Sequence, residues 1–257
     1  MSKREIIQQE ALDMAIKHKR CGLGISMGVG KTLIGLKYID HFRKDNKLRV
    51  LVVAPKLSIF ESWKDDGTKF DINVDDLEFT TYLSLNKFNP NNYDLVVLDE
   101  CHSLLFTHDY YLATYTGKIL GLSGTPPRYK NSEKGEMVNR YCPIVYTYIT
   151  DDAVEDKILN DYKILVHRLP LSNAKTHRVE TKKGGFFMTS ESQNYDYWCG
   201  RLNSAANGAQ TKIFRIMRMQ ALMQFKTKEK YARELLNMMD DKCLVFCNTT
   251  DQADRIS

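Results

Sequence analysis

The sequence predicts an α/β fold built on a doubly wound parallel sheet, and three observations carry that prediction. Apolar runs of strand length recur without polar alternation: VLVVA at 50–54, LVVL at 95–98 and ILGL at 119–122. Such runs suit strands covered on both faces. Segments of helical periodicity separate them, the alternation that builds a parallel sheet. Glycine-rich and acidic segments then follow the runs, at the strand ends where open α/β sheets hold ligands.

Taken in order, residues 3–19 place Ile6, Ile7, Leu12 and Ile16 on one helical face. Residues 21–26 form a short apolar run rich in glycine. Residues 32–42 predict a helix whose stripe is Leu33, Leu36, Tyr38 and Ile39. The strand at 50–54 is closed by Pro55, and a helix containing Ile59, Phe60 and Trp63 follows. The runs at 95–98 and 119–122 are the next strands. After about residue 146 the character changes. Residues 151–159 predict a helix and 162–169 a strand. Residues 178–189 predict a hairpin around Gly184-Gly185. The methionine-rich stretch 209–239 is helical in pattern, and CLVFC at 243–247 reads as one more strand before a helix start.

Composition narrows the function classes. The 257 residues carry 37 Lys+Arg against 32 Asp+Glu, a formal charge of +5, with 43% hydrophobic and 27% charged residues. That is the mix of a globular chain, too apolar for a disordered one. The charge admits an anionic partner without demanding one. No run approaches the ~18 apolar residues of a membrane span, so no membrane association is expected. The N-terminal MSKREIIQQEALDMA lacks the apolar core of a signal peptide. Cys21, Cys101, Cys142, Cys199, Cys243 and Cys247 form no CxxC pair. Neither zinc nor a disulfide frame is indicated, and reduced thiols suit a cytoplasmic compartment, or the nucleus or host cytoplasm for a viral chain. The length exceeds one α/β lobe of roughly 150 residues but falls short of two.

Chemistry concentrates in three segments. SMGVGKT at 26–32 follows a strand and opens a helix. A phosphate chain needs backbone N–H donors at close approach and a helix N-terminus aimed at it. Ser26, Met27, Gly28, Val29 and Gly30 would form that loop, Lys31 would reach the β/γ-phosphates, and Thr32 would bind Mg2+. The strict pattern wants glycine where this chain has Ile25. LVVLDECH at 95–102 delivers Asp99 and Glu100 at a strand end, sixty-eight residues after Lys31 (99 − 31). Asp99 is placed to hold Mg2+, and Glu100 to orient or deprotonate a water. His102 is either a relay or a solvated loop histidine. In GLSGTPPR at 121–128, Ser123 and Thr125 suit a relay to His102 or the acidic pair; taken alone, the segment reads as a turn.

Together, SMGVGKT, DECH and SGTP resemble motifs I, II and III of the superfamily 2 helicases and translocases. QQEAL at 8–12 is similar to the family's adenine-reading element, which implies that role for Gln8, the better fit, or for Gln9. VVAPK at 52–56 looks like the motif that grips a nucleic-acid backbone, implicating Pro55 and Lys56, and Thr80, Thr81 and Tyr82 fall where a further backbone-contacting motif is expected, Thr81 above all. The Met-Gly-x-Gly-Lys-Thr wording is similar to that of chromatin-remodelling translocases, and SGTPPR is closer to phage-type and restriction-type members. KCLVFCNTTDQADRI at 242–256 resembles the motif that opens the second motor lobe. The resemblance implies a RecA-like ATP-binding lobe over residues 1–150, a linker and insertion over 151–241, and the start of a second RecA-like lobe over 242–257. It implies ATP and Mg2+ as cofactors, nucleic acid as partner with DNA favoured over RNA, and a monomer. No Q-xx-G-R-xx-R pattern occurs before Ser257, so these residues alone are expected to bind ATP·Mg but hydrolyse it poorly.

Two features lie outside the motifs. Lys212, Arg215, Arg218, Lys226, Lys228, Lys230 and Arg233 make either a solvated face or one that tracks phosphates. In the hairpin, Lys182, Lys183, Phe186 and Phe187 either pack down or hold a single strand by charge and stacking. Two other function classes stay open: a phosphate-loop ATPase acting on protein assemblies, and a catalytically silent nucleic-acid-binding module.

Overall fold

The computed structural model describes residues 1–43, 47–181, 184–240 and 242–256. Strands form where the unbroken apolar runs lie. β1 (Arg20–Ile25), β2 (Val50–Ala54), β3 (Leu77–Thr81), β4 (Leu95–Asp99), β5 (Lys118–Ser123) and β6 (Ile144–Tyr148) join one sheet in the order β3-β2-β4-β5-β1-β6. Every pairing is parallel. α1 (Lys3–Ile16) precedes the sheet, the connections carry α2 (Lys31–Arg43), α3 (Ser58–Lys69), α4 (Asp109–Thr114) and α5 (Glu133–Tyr141), and α6 (Thr150–Glu155) follows β6.

The sheet is covered on both faces, and the residues show it. Val50 and Val52 of β2 and Leu95 and Val97 of β4 share one core with Ala11 and Leu12 of α1, Ile34 of α2 and Trp63 of α3. Leu51, Val53, Val96 and Leu98 share the other with Tyr111 and Leu112 of α4 and Met137 and Val138 of α5. Alternate residues of one strand point to opposite faces, so an unbroken apolar run is what two covered faces require. This is the RecA-like α/β lobe that the sequence implies.

The chain divides into two compact units, residues 1–163 and 164–257. The second holds the antiparallel pair β7 (His177–Glu180) and β8 (Phe186–Thr189), then α7 (Glu191–Asn203), α8 (Gly208–Met223), α9 (Lys226–Asn237) and α10 (Thr250–Ile256). The hairpin lies where Gly184-Gly185 predicts it. The helical stretch 209–239 is broken at Phe225, whose backbone is extended while its ring is fully buried. The Glu191 carboxylate then caps α9, accepting from the Thr227 N–H at 3.0 Å and its hydroxyl at 2.6 Å. Those bonds hold the Glu191 carboxyl below its ordinary range despite the opposing cost of burial.

Four expectations need correction. No strand forms at 162–169 or at 243–247. Val166 is 81% exposed and Phe246 89%; an apolar run without neighbours to pair with stays irregular. The helix expected over 151–159 is only the short α6. Ile6, counted into the α1 stripe, is exposed, and Gln8 takes the buried position beside Ile7 instead. Cys21, Cys101, Cys142, Cys199 and Cys247 are free thiols. Among the described residues no helix is long and apolar enough to cross a membrane.

Candidate functional site

In a parallel sheet every strand ends on the same edge, so the loops after β1, β4 and β5 meet there. The order β4-β5-β1 makes these strands immediate neighbours. In register, Gly24 lies opposite Ser123 and Leu122 opposite Asp99. The three chemical segments therefore converge although they are distant in sequence.

The first loop runs from Ser26 into α2 at Lys31. Its glycines have a conformational reason: Gly28 has φ +82° and Gly30 φ +105°, a region side chains disfavour. A Cβ on Gly30 would also lie 2.5 Å from Gln8 Nε2. The Gln8 amide is buried and donates to the Val29 carbonyl at 2.7 Å. It thus clamps the loop, leaving its own carbonyl oxygen as an acceptor. Val29 is buried, Met27 exposed, and Ser26 Oγ lies 2.9 Å from Thr150 Oγ1. Ile25, standing where the strict pattern has glycine, is the fully buried last residue of β1. Thr32 sits in the first turn of α2, whose amide donors open toward the loop. Beside the loop lies a cavity of about 610 Å³ whose lining includes Arg4, Gln8, Gly30, Lys37 and Phe70. Sequence reasoning found only part of this wall. Arg4 and Phe70 carried no pattern to mark them.

The second loop begins at Asp99, which is only 6% exposed. Its Oδ2 accepts from Trp63 Nε1 at 2.9 Å, its Oδ1 from the Glu100 N–H at 2.9 Å, and its carbonyl from the Tyr82 hydroxyl at 2.9 Å. Burial pushes the Asp99 carboxyl above its ordinary range, against the Trp63 bond. Glu100 has φ +51°, strained for a residue with a side chain. That turn aims its carboxylate back across the sheet edge, with Oε1 3.9 Å from Lys31 Nζ and Oε2 3.3 Å from His102 Nδ1.

The third loop completes the cluster. His102 Nδ1 lies 2.8 Å from Ser123 Oγ, and Ser123 Oγ accepts the Thr125 N–H at 3.1 Å. Ser123 is fully buried, so this bond satisfies it. Thr125 takes part through its backbone, while its side chain is exposed. A Cβ on Gly124 would lie 3.1 Å from Lys31 Nζ, so the ammonium sits where the three loops meet. The oxygens of Thr32 and Asp99 are hard donors, and the described residues hold no group of three or more His, Cys, Asp or Glu arranged to hold a metal ion by themselves. One carboxylate and one hydroxyl fit Mg2+ brought in with a polyphosphate rather than a metal caged by protein alone.

The residues expected at nucleic acid are dispersed. Pro55 and Lys56 follow β2, and Thr81 ends β3, on the same sheet edge; Lys56 is exposed, and Pro55 and Thr81 are half-buried. In the second unit Phe186 and Phe187 are 57% and 52% exposed, so they do not pack down. The Arg178 guanidinium lies 4.1 Å from the centre of the Phe186 ring. Lys182 and Lys183 lie outside the described residues.

Residues 3–128 match the family model described as "Type III restriction enzyme, res subunit". The chain is 26% identical over 284 residues to the "DNA 3'-5' translocase XPB2" of Sulfurisphaera tokodaii, covering 97% of this chain and 61% of that one. It therefore spans about three-fifths of that relative's length. Among solved structures it is similar to T4 UvsW (TM-score 0.47, 15% identity, 55% of this chain and 33% of that one). It is also similar to the Sulfolobus solfataricus SWI2/SNF2 ATPase core in complex with dsDNA (TM-score 0.45, 15% identity, 98% and 68%). SMGVGKT, DECH and SGTP thus meet at one sheet edge, and all three lie within residues 3–128, the portion of this chain that is similar to that helicase-type family model.

Proposed function

We propose that the chain is the nucleotide-binding part of an ATP-dependent translocase or helicase acting on nucleic acid, with DNA favoured over RNA. The observation that carries the reading is the convergence of Lys31, Asp99, Glu100, His102 and Ser123 at the ends of three neighbouring strands. The name of the curated relative, a DNA translocase, supports DNA as the polymer.

In this reading Gln8 and the adjoining cavity take the adenine. The amides from Met27 to Gly30 and the Lys31 ammonium take the phosphates. Thr32 and Asp99 hold Mg2+, which when bound neutralises charge on the phosphate oxygens. Glu100 would orient the attacking water and accept its proton as the γ-phosphoryl group passes from ATP to that water, leaving ADP. Ser123 and His102 tie the third loop to Glu100. Pro55, Lys56 and Thr81 contact the nucleic-acid backbone. Lys182, Lys183, Phe186 and Phe187 would add a second grip on a single strand.

Binding of a fluorescent ATP analogue with Mg2+, with and without single-stranded or duplex oligonucleotides of DNA and RNA, tests this. The native chain should bind the analogue, and an oligonucleotide should shift that affinity. Lys31→Ala should lose binding. Glu100→Gln should keep binding while abolishing the slow turnover expected of these 257 residues. Nucleotide affinity indifferent to every oligonucleotide would favour an ATPase acting on protein assemblies. Oligonucleotide binding without nucleotide affinity would favour a silent nucleic-acid module.

A further inference from the structure

Trp63 is the largest fully buried side chain of the protein, and its polar atom is not spent on packing. Its indole N–H, a donor with no acceptor function, meets Oδ2 of Asp99 at 2.9 Å in a buried bond across 36 residues of sequence. The rest of the ring presses on α2, the helix that begins at Lys31. A Cβ on Gly35 would lie 2.6 Å from the far edge of the indole. Only a residue without one lets helix and ring approach so closely. Trp63 thus touches both the carboxylate that would hold the metal and the helix that would hold the phosphates.

Its own helix starts at the other function of the lobe. Lys56, at the end of β2, accepts through its carbonyl from the Ile59 N–H at 3.3 Å, and α3 runs from Ser58 through Trp63. A second link is parallel to the first. Tyr82 directly follows Thr81, and its hydroxyl donates to the Asp99 carbonyl at 2.9 Å. These two segments of the first unit, at 55–56 and at Thr81, are therefore each followed by an aromatic donor to the same aspartate.

Resting on the proposed nucleotide site, we propose that Trp63 is a positioning residue. It fixes the Asp99 carboxylate for Mg2+ and, with Tyr82, ties that aspartate to the segments at Pro55–Lys56 and Thr81. A carboxylate that binds a metal through one lone pair has its orientation set by the donor on another. A ring that merely fills the core would need no N–H.

Trp63→Phe keeps most of the bulk and removes the donor; Tyr82→Phe removes the second link. The readout is binding of a fluorescent ATP analogue by the full chain as Mg2+ is varied. In Trp63→Phe the Mg2+ midpoint should rise by about tenfold, while Mg2+-free binding stays at the native level. An oligonucleotide should lower the native midpoint, and less so in either variant. The protein has two tryptophans, so Trp198→Phe leaves Trp63 as the sole indole reporter, and its emission should change when Mg2+ is added to the nucleotide-bound chain. An unchanged Mg2+ midpoint in Trp63→Phe would overturn the role while leaving the nucleotide site standing. If Trp63→Phe does not fold, the Trp198→Phe chain decides, and emission indifferent to Mg2+ overturns the proposal. A native chain that binds no nucleotide would instead refute the nucleotide site itself, and this inference with it.

Discussion

At the scale of single residues, the site rests on a few positions where backbone shape and side-chain contact coincide. Gly30 combines φ +105° with the Gln8 amide beside its missing Cβ. Gly30→Ala should cost about 1–3 kcal/mol of stability through backbone strain. It should also displace Gln8 from Val29, so that nucleotide affinity drops more than the loss in melting temperature explains; equal, small losses would count against the clamp. Ser123 joins the third loop to the second through His102. Ser123→Ala should leave nucleotide affinity near native but weaken its response to an oligonucleotide, since linkage requires each site to sense the other. A full response in that variant would leave Ser123 a purely structural hydroxyl. The residues of these loops were legible in the sequence because phosphate and metal chemistry constrains residue type at fixed spacing. Their supports were not. Trp63 meets Asp99 across 36 positions and Thr150 meets Ser26 across 124, and nothing local marks either pairing.

At the scale of elements, legibility followed burial. β2, β4 and β5 are interior strands and read as unbroken apolar runs. β3 and β6 form the two edges, with half-exposed positions such as Phe79 and Tyr146, and no run announces them. The opposite sheet edge from the site also has its device. Arg49 and Asp94 exchange backbone and side-chain bonds where β2 and β4 begin, with Asp94 Oδ2 accepting from Arg49 N and Nε at 3.0 Å. The Arg49 side-chain bonds hold the Asp94 carboxyl below its usual value of 3.8. A carboxyl depressed on folding stabilises above the unfolded value and loses that contribution as pH falls through the folded one. Asp94→Asn should therefore lower the melting temperature at pH 7, by about 1–2 °C for so exposed a pair. The difference should shrink as pH is taken below 3.8. A gap that persists in acid would assign the effect to the backbone turn rather than the charge.

At the scale of the whole molecule, the two units differ in kind. Both apolar cores lie within residues 1–163, and so does every residue of the three converging loops. In the second unit Ala221 and Phe225 are the only buried apolar residues among those described, while Lys212, Arg215, Lys226, Lys228, Lys230 and Arg233 are exposed. A unit with its own core can fold alone. Residues 1–163 should therefore unfold cooperatively and bind nucleotide with Mg2+ within about threefold of the full chain. Nucleic-acid binding should divide differently. Each phosphate neutralised on a single strand adds roughly 0.7 to the slope of log affinity against log salt. If three cations of the second unit track a strand, the full chain should show a slope steeper by about 2 than residues 1–163. Measuring both slopes with one oligonucleotide distinguishes the two readings of that basic face. Equal slopes would make it a solvated surface, and would leave strand contact to Pro55, Lys56 and Thr81 in the first unit.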